Sequence, residues 1–291
     1  MEPVQPIGDL FQEPLLSEVQ DYLGRYGYIG ASALFSTTST EDASGPVVSA
    51  LRRFQEFYGI QGDTEADRSA ATLEALRRPR CGVPDLRNGK KKRGCPWPVG
   101  RNVLVYDFGT GPVDIDPPNA AFDQVERAIE AWNRALAGQG IPLQLQKRAD
   151  EPDDQIHVHF SWVSLGNELS IARPPVALAD FPPKCGLRSR GLPRPVWFDQ
   201  DREWSVDHEP PRLRIVAVAA HEIGHILGLA HSRSQSSVMY SDSGQGIDSP
   251  SADDEIALAQ LYAAHRAAIA PGVPVQAAGM SGPSVGEEAR P

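Results

Sequence analysis

One segment in the C-terminal half constrains this chain more than any other. It reads HEIGHILGLAH and fills the pattern HExxHxxGxxH at every fixed position. Residues four apart on a helix lie on one face, so His221 and His225 can point two imidazoles at the same metal ion. Glu222 lies one step round that helix, from where it can reach water at the ion without being a ligand. The spacing therefore predicts a helix that carries a zinc site.

Further residues complete the site that the pattern describes. Glycine tolerates a left-handed backbone, so Gly228 can break the helix and bring His231 back as a third ligand. Three protein ligands leave the fourth position of zinc open for water, as a catalytic zinc requires. Met239 follows where proteins with this motif carry a methionine turn beneath the histidines. A chance match on a structural helix is the alternative, and the complete pattern argues against it. We predict one catalytic zinc ion, with Glu222 as the general base.

The chain contains three cysteines, and an odd number means that at least one of them is left out of any disulfide pairing within the chain. Cys81 lies in the sequence PRCGVPD, ahead of the zinc motif. A thiolate is a good zinc ligand, so Cys81 delivered to the three histidines would displace the water and make the chain a latent precursor. The alternative is a plain buried cysteine. Cys95 and Cys185 would then be free to pair, although sequence does not prove that their Cα atoms approach each other.

Composition excludes several classes of function. The net charge of −10 and the pI near 5.2 argue against a nucleic acid or an anionic membrane as the principal partner. No apolar run approaches the roughly 18 residues that a membrane-spanning helix needs. The first residues, MEPVQPIGDLFQEP, lack the basic start and apolar run of a signal peptide. Either a signal was removed or export follows another route.

Apolar periodicity divides the chain into an all-helical part and a mixed part. Helical spacing predicts helices over 15–26, 47–58 and 70–76, with a polar loop over 36–45. Residues 86–93 form a basic linker without apolar periodicity. Beyond it the pattern predicts strands at 102–108, 143–146, 155–162 and 176–181, and helices at 121–136, 212–230 and 251–264. Ser251 and Asp254 can form a capping box at the last of these helices. The fold class is α+β, with a mixed sheet and a helix on one face.

Together these residues resemble the matrixins, the matrix metalloproteinase family of the metzincin clan. PRCGVPD at 79–85 is similar to the family's cysteine switch, and HEIGHILGLAHS at 221–232 resembles its zinc motif, including Ser232 after the third histidine. VVSALRRFQEFYGI at 47–60 resembles the three-helix, peptidoglycan-binding-like prodomain. The resemblance implies a secreted zinc endopeptidase that acts on extracellular proteins and is made as a zymogen.

The resemblance also assigns parts of the chain. It implies an N-terminal extension (1–11), a helical prodomain (12–78), the switch with its basic linker (79–93), a metzincin-type catalytic domain (94–266) and a disordered tail (267–291). Arg80 and Asp85 would pair to hold the switch loop around Cys81. The strand segment PVALADF, with Ala177, Leu178 and Ala179 at its centre, would bind the substrate backbone by strand addition.

The basic run that ends at Arg93 lies where a prodomain would be cut away. We expect a protease specific for basic residues to cleave there, because such a site is exposed and flexible. A solvated linker is the alternative. Another class of function is a wall-binding protein whose N-terminal module grips peptidoglycan beside an inert metal domain. The intact Glu222 argues against inertness, and nothing in residues 12–78 identifies a sugar site.

The sequence departs from the family where matrixins carry a structural zinc and calcium. Trp197 and Asp180 stand where histidines are expected, and Arg202 stands where an acidic ligand is expected. These changes argue against a second zinc ion and leave calcium binding open. His157 and His159 point to one face of a strand and could form a metal pair, although such histidines more often face solvent.

Overall fold

The computed structural model describes most of the chain, namely residues 13–30, 40–62, 65–87, 90–91, 94–117, 119–149, 155–169, 174–188, 191–207, 209–242 and 246–269. The predicted N-terminal extension, the predicted cleavage site at Arg93 and residues 270–291 of the predicted tail lie outside these ranges. Within them, no helix has both the length and the hydrophobicity that crossing a bilayer requires.

Within the described residues, three helices form the N-terminal part: α1 (Glu13–Arg25), α2 (Thr40–Tyr58) and α3 (Glu65–Arg77). Apolar residues recur every three or four positions in α1 and α2, so each helix buries one face. The buried side chains form one cluster: Val19, Leu23, Tyr26, Tyr28, Ile29, Val47, Ala50, Leu51, Phe54, Phe57, Ala75, Leu76 and Leu86.

All three helices begin earlier than the sequence predicts, α1 by two residues and the other two by five or more. The predicted loop over 36–45 is wrong from Thr40 onward, because α2 begins there. Likewise α3 begins at Glu65 rather than at Ala70. Serine, threonine and acidic residues are frequent in loops, but they are also favoured at the start of a helix, where their oxygens can cap free N–H groups and acidic side chains complement the helix dipole. Composition alone does not separate these two uses.

The basic segment after the switch is not a plain linker. Strands β1 (Leu86–Arg87) and β2 (Lys90–Lys91) pair antiparallel as a short hairpin, which the sequence analysis did not predict. Leu86 is buried in the helical cluster, and its N–H donates to the carbonyl of Tyr26 at 3.2 Å. The hairpin therefore packs on the N-terminal helices.

The rest of the chain is built on a five-stranded sheet. Its strands are β3 (Val103–Phe108), β4 (Gln144–Lys147), β5 (Val158–Val163), β6 (Ala177–Ala179) and β7 (Arg194–Asp199). The spatial order is β4-β3-β5-β7-β6, in which all neighbouring pairs are parallel except β6 and β7. This agrees with the α+β class. The antiparallel strand β6 lies at one edge.

Helix α4 (Asn119–Gly138) shares one hydrophobic core with the sheet and with the helix of the zinc motif. The Trp132 indole N–H donates to the carbonyl of Ala220 at 2.7 Å and links the two helices. Shorter elements follow the sheet strands: helix α5 (Leu165–Leu169), a 3-10 turn (Pro183–Cys185) and the parallel pair β8 (Trp204–Ser205) and β9 (Leu213–Arg214).

The C-terminal helical region differs from the single predicted helix. Helix α7 (Ala252–Leu261) begins with the predicted capping box of Ser251 and Asp254, which is confirmed. The helix stops at Tyr262, whose hydroxyl donates to the carbonyl of Leu227 at 2.8 Å, and α8 (Ala263–Ile269) follows. The prediction of a disordered tail from residue 267 is therefore wrong for 267–269, which are helical.

Candidate metal centre

The motif helix α6 (Ile215–Ile226) is buried along its whole length. It is shorter than the predicted 212–230, because residues 213–214 belong to β9 and the chain turns away after Ile226. One turn apart on its face, His221 and His225 bring their Nε2 atoms within 3.1 Å of each other. The expectation that two imidazoles share one face of this helix therefore holds.

Gly228 makes the turn after the helix for two reasons. Its φ of +91° lies in the left-handed region, as the sequence suggested. In addition, a Cβ at this position would lie 1.9 Å from the carbonyl oxygen of Cys95, a close approach that the sequence did not reveal. The turn returns His231 to the site, where its Nε2 lies 3.1 Å from Nε2 of His225.

Backbone carbonyls orient the two helical histidines. His221 Nδ1 lies 2.7 Å from the carbonyl of Val238, and His225 Nδ1 lies 2.7 Å from that of Leu229. A carbonyl only accepts, so each Nδ1 carries the proton and each Nε2 keeps its lone pair. Burial, followed by the charge of His231, lowers the pKa of His221 to about 3, which also favours the neutral ring.

Cys81 joins these histidines in one cluster. Its sulfur and one nitrogen of each of the three rings lie within 4.8 Å of one another, and all four residues are buried. A tetrahedral zinc ion with Zn–N bonds of about 2.0–2.1 Å separates its nitrogen ligands by about 3.3 Å, close to the nitrogen separations observed here. The donor set therefore fits one tetrahedral zinc ion, and within the described ranges no other group of three or more such side chains converges in this way.

Glu222 is fully buried beside the cluster. Burial raises its pKa to about 8, although the Cys81 thiol and the backbone N–H of Ala179 act in the opposite direction. Burial and then the charge of Glu222 raise the pKa of the Cys81 thiol. The carboxylate and the thiol thus face the same small volume beside the three rings.

Met239 lies against the motif helix at Gly224. Its sulfur would be 2.1 Å from a Cβ placed on Gly224, so this helical glycine leaves room for the methionine. Asp254 holds the same turn, because it accepts from the Val238 N–H at 2.9 Å and from the Ser237 hydroxyl. Asp254 was predicted only as a helix cap; its second contact, to a turn 16 residues earlier, has no signature in sequence spacing.

The switch segment is fixed by a buried ion pair. Both arms of the Arg80 guanidinium contact Asp85 at 2.8 Å, so the structure places these two residues together. Tyrosines of the N-terminal part surround the pair: the Arg80 carbon lies 3.6 Å above the ring of Tyr26, Tyr58 accepts from Arg80 at 2.7 Å, and Tyr28 donates to Asp85 at 2.7 Å. No sequence pattern marks these contacts, because Tyr26 and Tyr58 lie on the apolar faces of predicted helices and Tyr28 follows the first of those helices.

The segment around Cys81 lies between the sheet edge and the loop after Met239. The Gly82 N–H donates to the carbonyl of Ala177 at 2.8 Å, and the Val176 N–H donates to that of Arg80 at 3.0 Å. On the other side, the Cys81 N–H donates to the Ser241 carbonyl at 3.4 Å. Leu178 packs in a small cluster with Cys81, and Ala179 is buried next to Glu222. The carbonyl of Ala177 in β6 and the N–H of Val176 just before it are thus occupied by the chain itself.

A disulfide joins Cys95 to Cys185, with the Cα atoms 6.3 Å apart. It ties the segment ahead of β3 to the turn after β6, and Cys81 remains as the free thiol. The pairing that the sequence allowed is therefore present in the structure.

The residues that depart from the family pattern have partners within the protein. Asp180 forms a buried ion pair with Arg194. Arg202 contacts the carboxylate of Asp199 at 3.2 Å and the carbonyl of Pro174 at 2.9 Å. Trp197 lies in β7 beside the small cluster around Cys81. Each departure therefore has a local structural role.

His157 and His159 point to different partners. His157 is buried, and its Nδ1 accepts from the backbone N–H of Val105 at 3.2 Å. His159 Nδ1 lies 2.6 Å from the carboxylate of Asp107. The predicted metal pair is thus two histidines with separate protein contacts.

Comparison with known proteins identifies the family. Residues 97–263, more than half of the chain, match the family model described as Matrixin. The chain belongs to the matrixin family. The matched range of this matrixin contains the sheet, the motif helix and the three histidines, whereas Cys81 precedes it.

Curated relatives extend the likeness beyond that range. The matrixin is 30% identical to stromelysin-2 of Rattus norvegicus over 238 residues, which cover 80% of this chain and 46% of that protein. It is 30% identical to stromelysin-1 of Equus caballus over 224 residues, or 76% of this chain and 43% of that protein. The chain thus spans less than half the length of the curated relatives that it matches.

Proposed function

We propose that this matrixin is a zinc endopeptidase that its own N-terminal part holds latent. One observation carries the proposal: the free thiol of Cys81 converges with three histidines of the zinc motif, beside a buried glutamate. His221, His225 and His231 would hold the ion. The thiolate would fill the fourth position in the latent form, and water would take that position once the segment leaves.

A bound zinc ion would lower the pKa of a water molecule and polarise the carbonyl of the scissile peptide bond. The residues of the chain then move the protons. Glu222 accepts a proton from the attacking water at its carboxylate and later delivers it to the leaving amine. Burial raises the pKa of this carboxyl to about 8 while the switch segment covers it, and a bound zinc ion and access of water would lower that pKa and favour the carboxylate that accepts the proton.

Substrate binding would use the groups that the switch segment now occupies. The carbonyl of Ala177 and the N–H of Val176 bond to the backbone of residues 80–82. Once that segment is removed, β6 is an edge strand with these groups exposed, and an extended peptide can pair with them. The substrate class is therefore protein or peptide chains in an extended conformation.

Removal of the switch would require cleavage of the chain. We infer a helical prodomain over 12–78 and a catalytic domain over 94–266, cut apart near Arg93, in a protein exported from the cell. N-terminal sequencing of the active form tests the cut, and a mature end far from Gly94 would contradict it.

Three purified forms test the function itself on a labelled unfolded protein. The parent should be latent or slowly self-activating, Cys81→Ser should be active without cleavage, and Glu222→Ala should lose activity by about 10²–10⁴-fold while it still binds zinc. The double variant Cys81→Ser/Glu222→Ala controls for contaminating proteases. If Cys81→Ser is no more active than the uncleaved parent, the latency proposal fails. Activity that survives a zinc chelator would refute the zinc mechanism.

A further inference from the structure

The three histidines differ in the part of the chain that supplies the hydrogen-bond partner of Nδ1. His221 and His225 contact the carbonyls of Val238 and Leu229, which belong to the same part of the chain as the zinc motif. His231 instead contacts Asp85 of the switch segment, with 2.6 Å between Nδ1 and Oδ1. Both side chains of this pair are completely inaccessible to solvent. One of the three ligand orientations thus depends on a residue 146 positions earlier in the chain.

This contact has the form of a carboxylate that supports a metal-ligating histidine. The Arg80 guanidinium contacts both oxygens of this carboxylate at 2.8 Å, so Asp85 is an ion-paired carboxylate that accepts from His231. A charged acceptor on Nδ1 fixes the tautomer with the lone pair on Nε2 and makes that nitrogen a stronger donor to a metal. Loss of such a partner weakens metal binding by about 10–100-fold in metalloproteins.

We propose that Asp85 is a positioning residue for His231, through which the switch segment raises the zinc affinity of the latent form separately from Cys81. The proposal rests on the proposed function for the identity of the metal. When the segment leaves, His231 loses its charged partner, whereas the other two histidines keep their carbonyls. The latent chain is therefore the form that takes up and retains zinc most strongly.

The test measures zinc affinity in the uncleaved chain, with Glu222→Ala present throughout to prevent self-cleavage. Competition with a chromogenic chelator gives the dissociation constant, and transfer to the same chelator gives the release rate. Asp85→Asn keeps the shape of the side chain and removes its charge, so zinc should bind about 10–100-fold more weakly. The matched control is Tyr28→Phe, which removes the hydrogen bond to the other oxygen of Asp85 and leaves Oδ1 facing His231. Its zinc affinity should stay close to that of the parent.

Cobalt substitution separates the role of Asp85 from that of Cys81. A thiolate bound to Co²⁺ gives a charge-transfer band, so the band reports whether Cys81 is still a ligand. The proposal requires that Asp85→Asn keeps the band and binds zinc at least tenfold more weakly. Unchanged zinc affinity in Asp85→Asn overturns this proposal and leaves the proposed function standing. Loss of both the band and the affinity also overturns it, because Asp85 would then act only by placing Cys81. A parent chain that binds no zinc would instead refute the proposed function.

Discussion

Substitution of Gly228 by alanine tests how the third histidine is placed. The glycine has a φ of +91°, and its hypothetical Cβ would lie 1.9 Å from the carbonyl oxygen of Cys95. Cys95 cannot move away easily, because its N–H donates to the Gly228 carbonyl at 2.8 Å and its sulfur is bonded to Cys185. The substitution therefore strains the backbone and also forces two chain segments apart.

The size of the effect follows from these two costs. A left-handed backbone costs a residue with a Cβ roughly 1–2 kcal/mol relative to glycine. Ordinary non-bonded separations are about 3.5 Å, so the Cys95 carbonyl must retreat by about 1.5 Å. Overpacking of this kind costs about 1–3 kcal/mol. The free energy of unfolding should therefore fall by about 2–5 kcal/mol, and displacement of His231 should weaken zinc binding as well.

Urea denaturation of the Glu222→Ala chain measures the loss, and two other glycines provide matched controls. Gly59 (φ +63°) and Gly140 (φ +64°) are also left-handed, but a Cβ on either would meet nothing within 4 Å. Alanine at those positions should cost only the backbone strain, about 1–2 kcal/mol. If Gly228→Ala costs no more than Gly140→Ala, the close approach of Cys95 does not constrain the turn, and the reasoning is refuted.

Two further predictions concern the charge of Asp85 and the disulfide. The pKa of Asp85 lies below its ordinary value, so the folded chain keeps the carboxylate charged where the unfolded chain binds a proton. Its contribution to stability is therefore complete above about pH 5 and is lost as the pH falls through and below about 4. The free energy of unfolding should drop more steeply between pH 5 and 3 for the parent than for Asp85→Asn; parallel profiles would contradict this. Cys95 and Cys185 lie 90 residues apart in sequence, and replacing both by serine should lower the free energy of unfolding by about 2–4 kcal/mol in urea, whereas a loss under about 1 kcal/mol would argue against a stabilising cross-link.

The parts of the site that sequence predicts are those set by short-range geometry. His221, Glu222 and His225 follow from helical spacing, and Gly228 follows from its conformational freedom. The odd number of cysteines, the affinity of a thiolate for zinc and then the family resemblance add Cys81, which no periodicity connects to a helix 140 residues later. Two kinds of feature could not be predicted from the sequence. One is the boundary of a helix, because the same polar residues occur in loops and in first turns; the other is a contact between distant segments.

The contact between Asp85 and His231 is of the second kind. Its partners are 146 residues apart, and aspartate next to a proline-rich turn has many ordinary uses. The predicted pairing of Arg80 with Asp85 came from resemblance and placed both residues in the switch. Only the fold shows that Arg80 shares each oxygen of this carboxylate with another residue, Oδ1 with His231 and Oδ2 with Tyr28.

The surroundings of this ion pair explain why a seven-residue switch is attached to a helical unit. Arg80 and Asp85 are both buried, and burying two charges is unfavourable unless further hydrogen bonds satisfy them. The hydroxyls of Tyr28 and Tyr58 and the face of the Tyr26 ring provide those contacts, and all three belong to the helical cluster or its flank.

A free peptide with the switch sequence would have neither these partners nor a fixed backbone, and it would lose roughly 1–2 kcal/mol of conformational entropy per residue on docking. In the intact chain, the helices provide the hydrogen-bond partners and hold the backbone of the switch in place. If the proposed function and the role of Asp85 hold, the helices would act on the metal centre at a distance, because they keep the ion pair of Arg80 and Asp85 buried and Asp85 contacts His231. Removal of the helices should therefore weaken the hold of Cys81 and Asp85 on the three histidines, even where the chain is not cut next to Cys81.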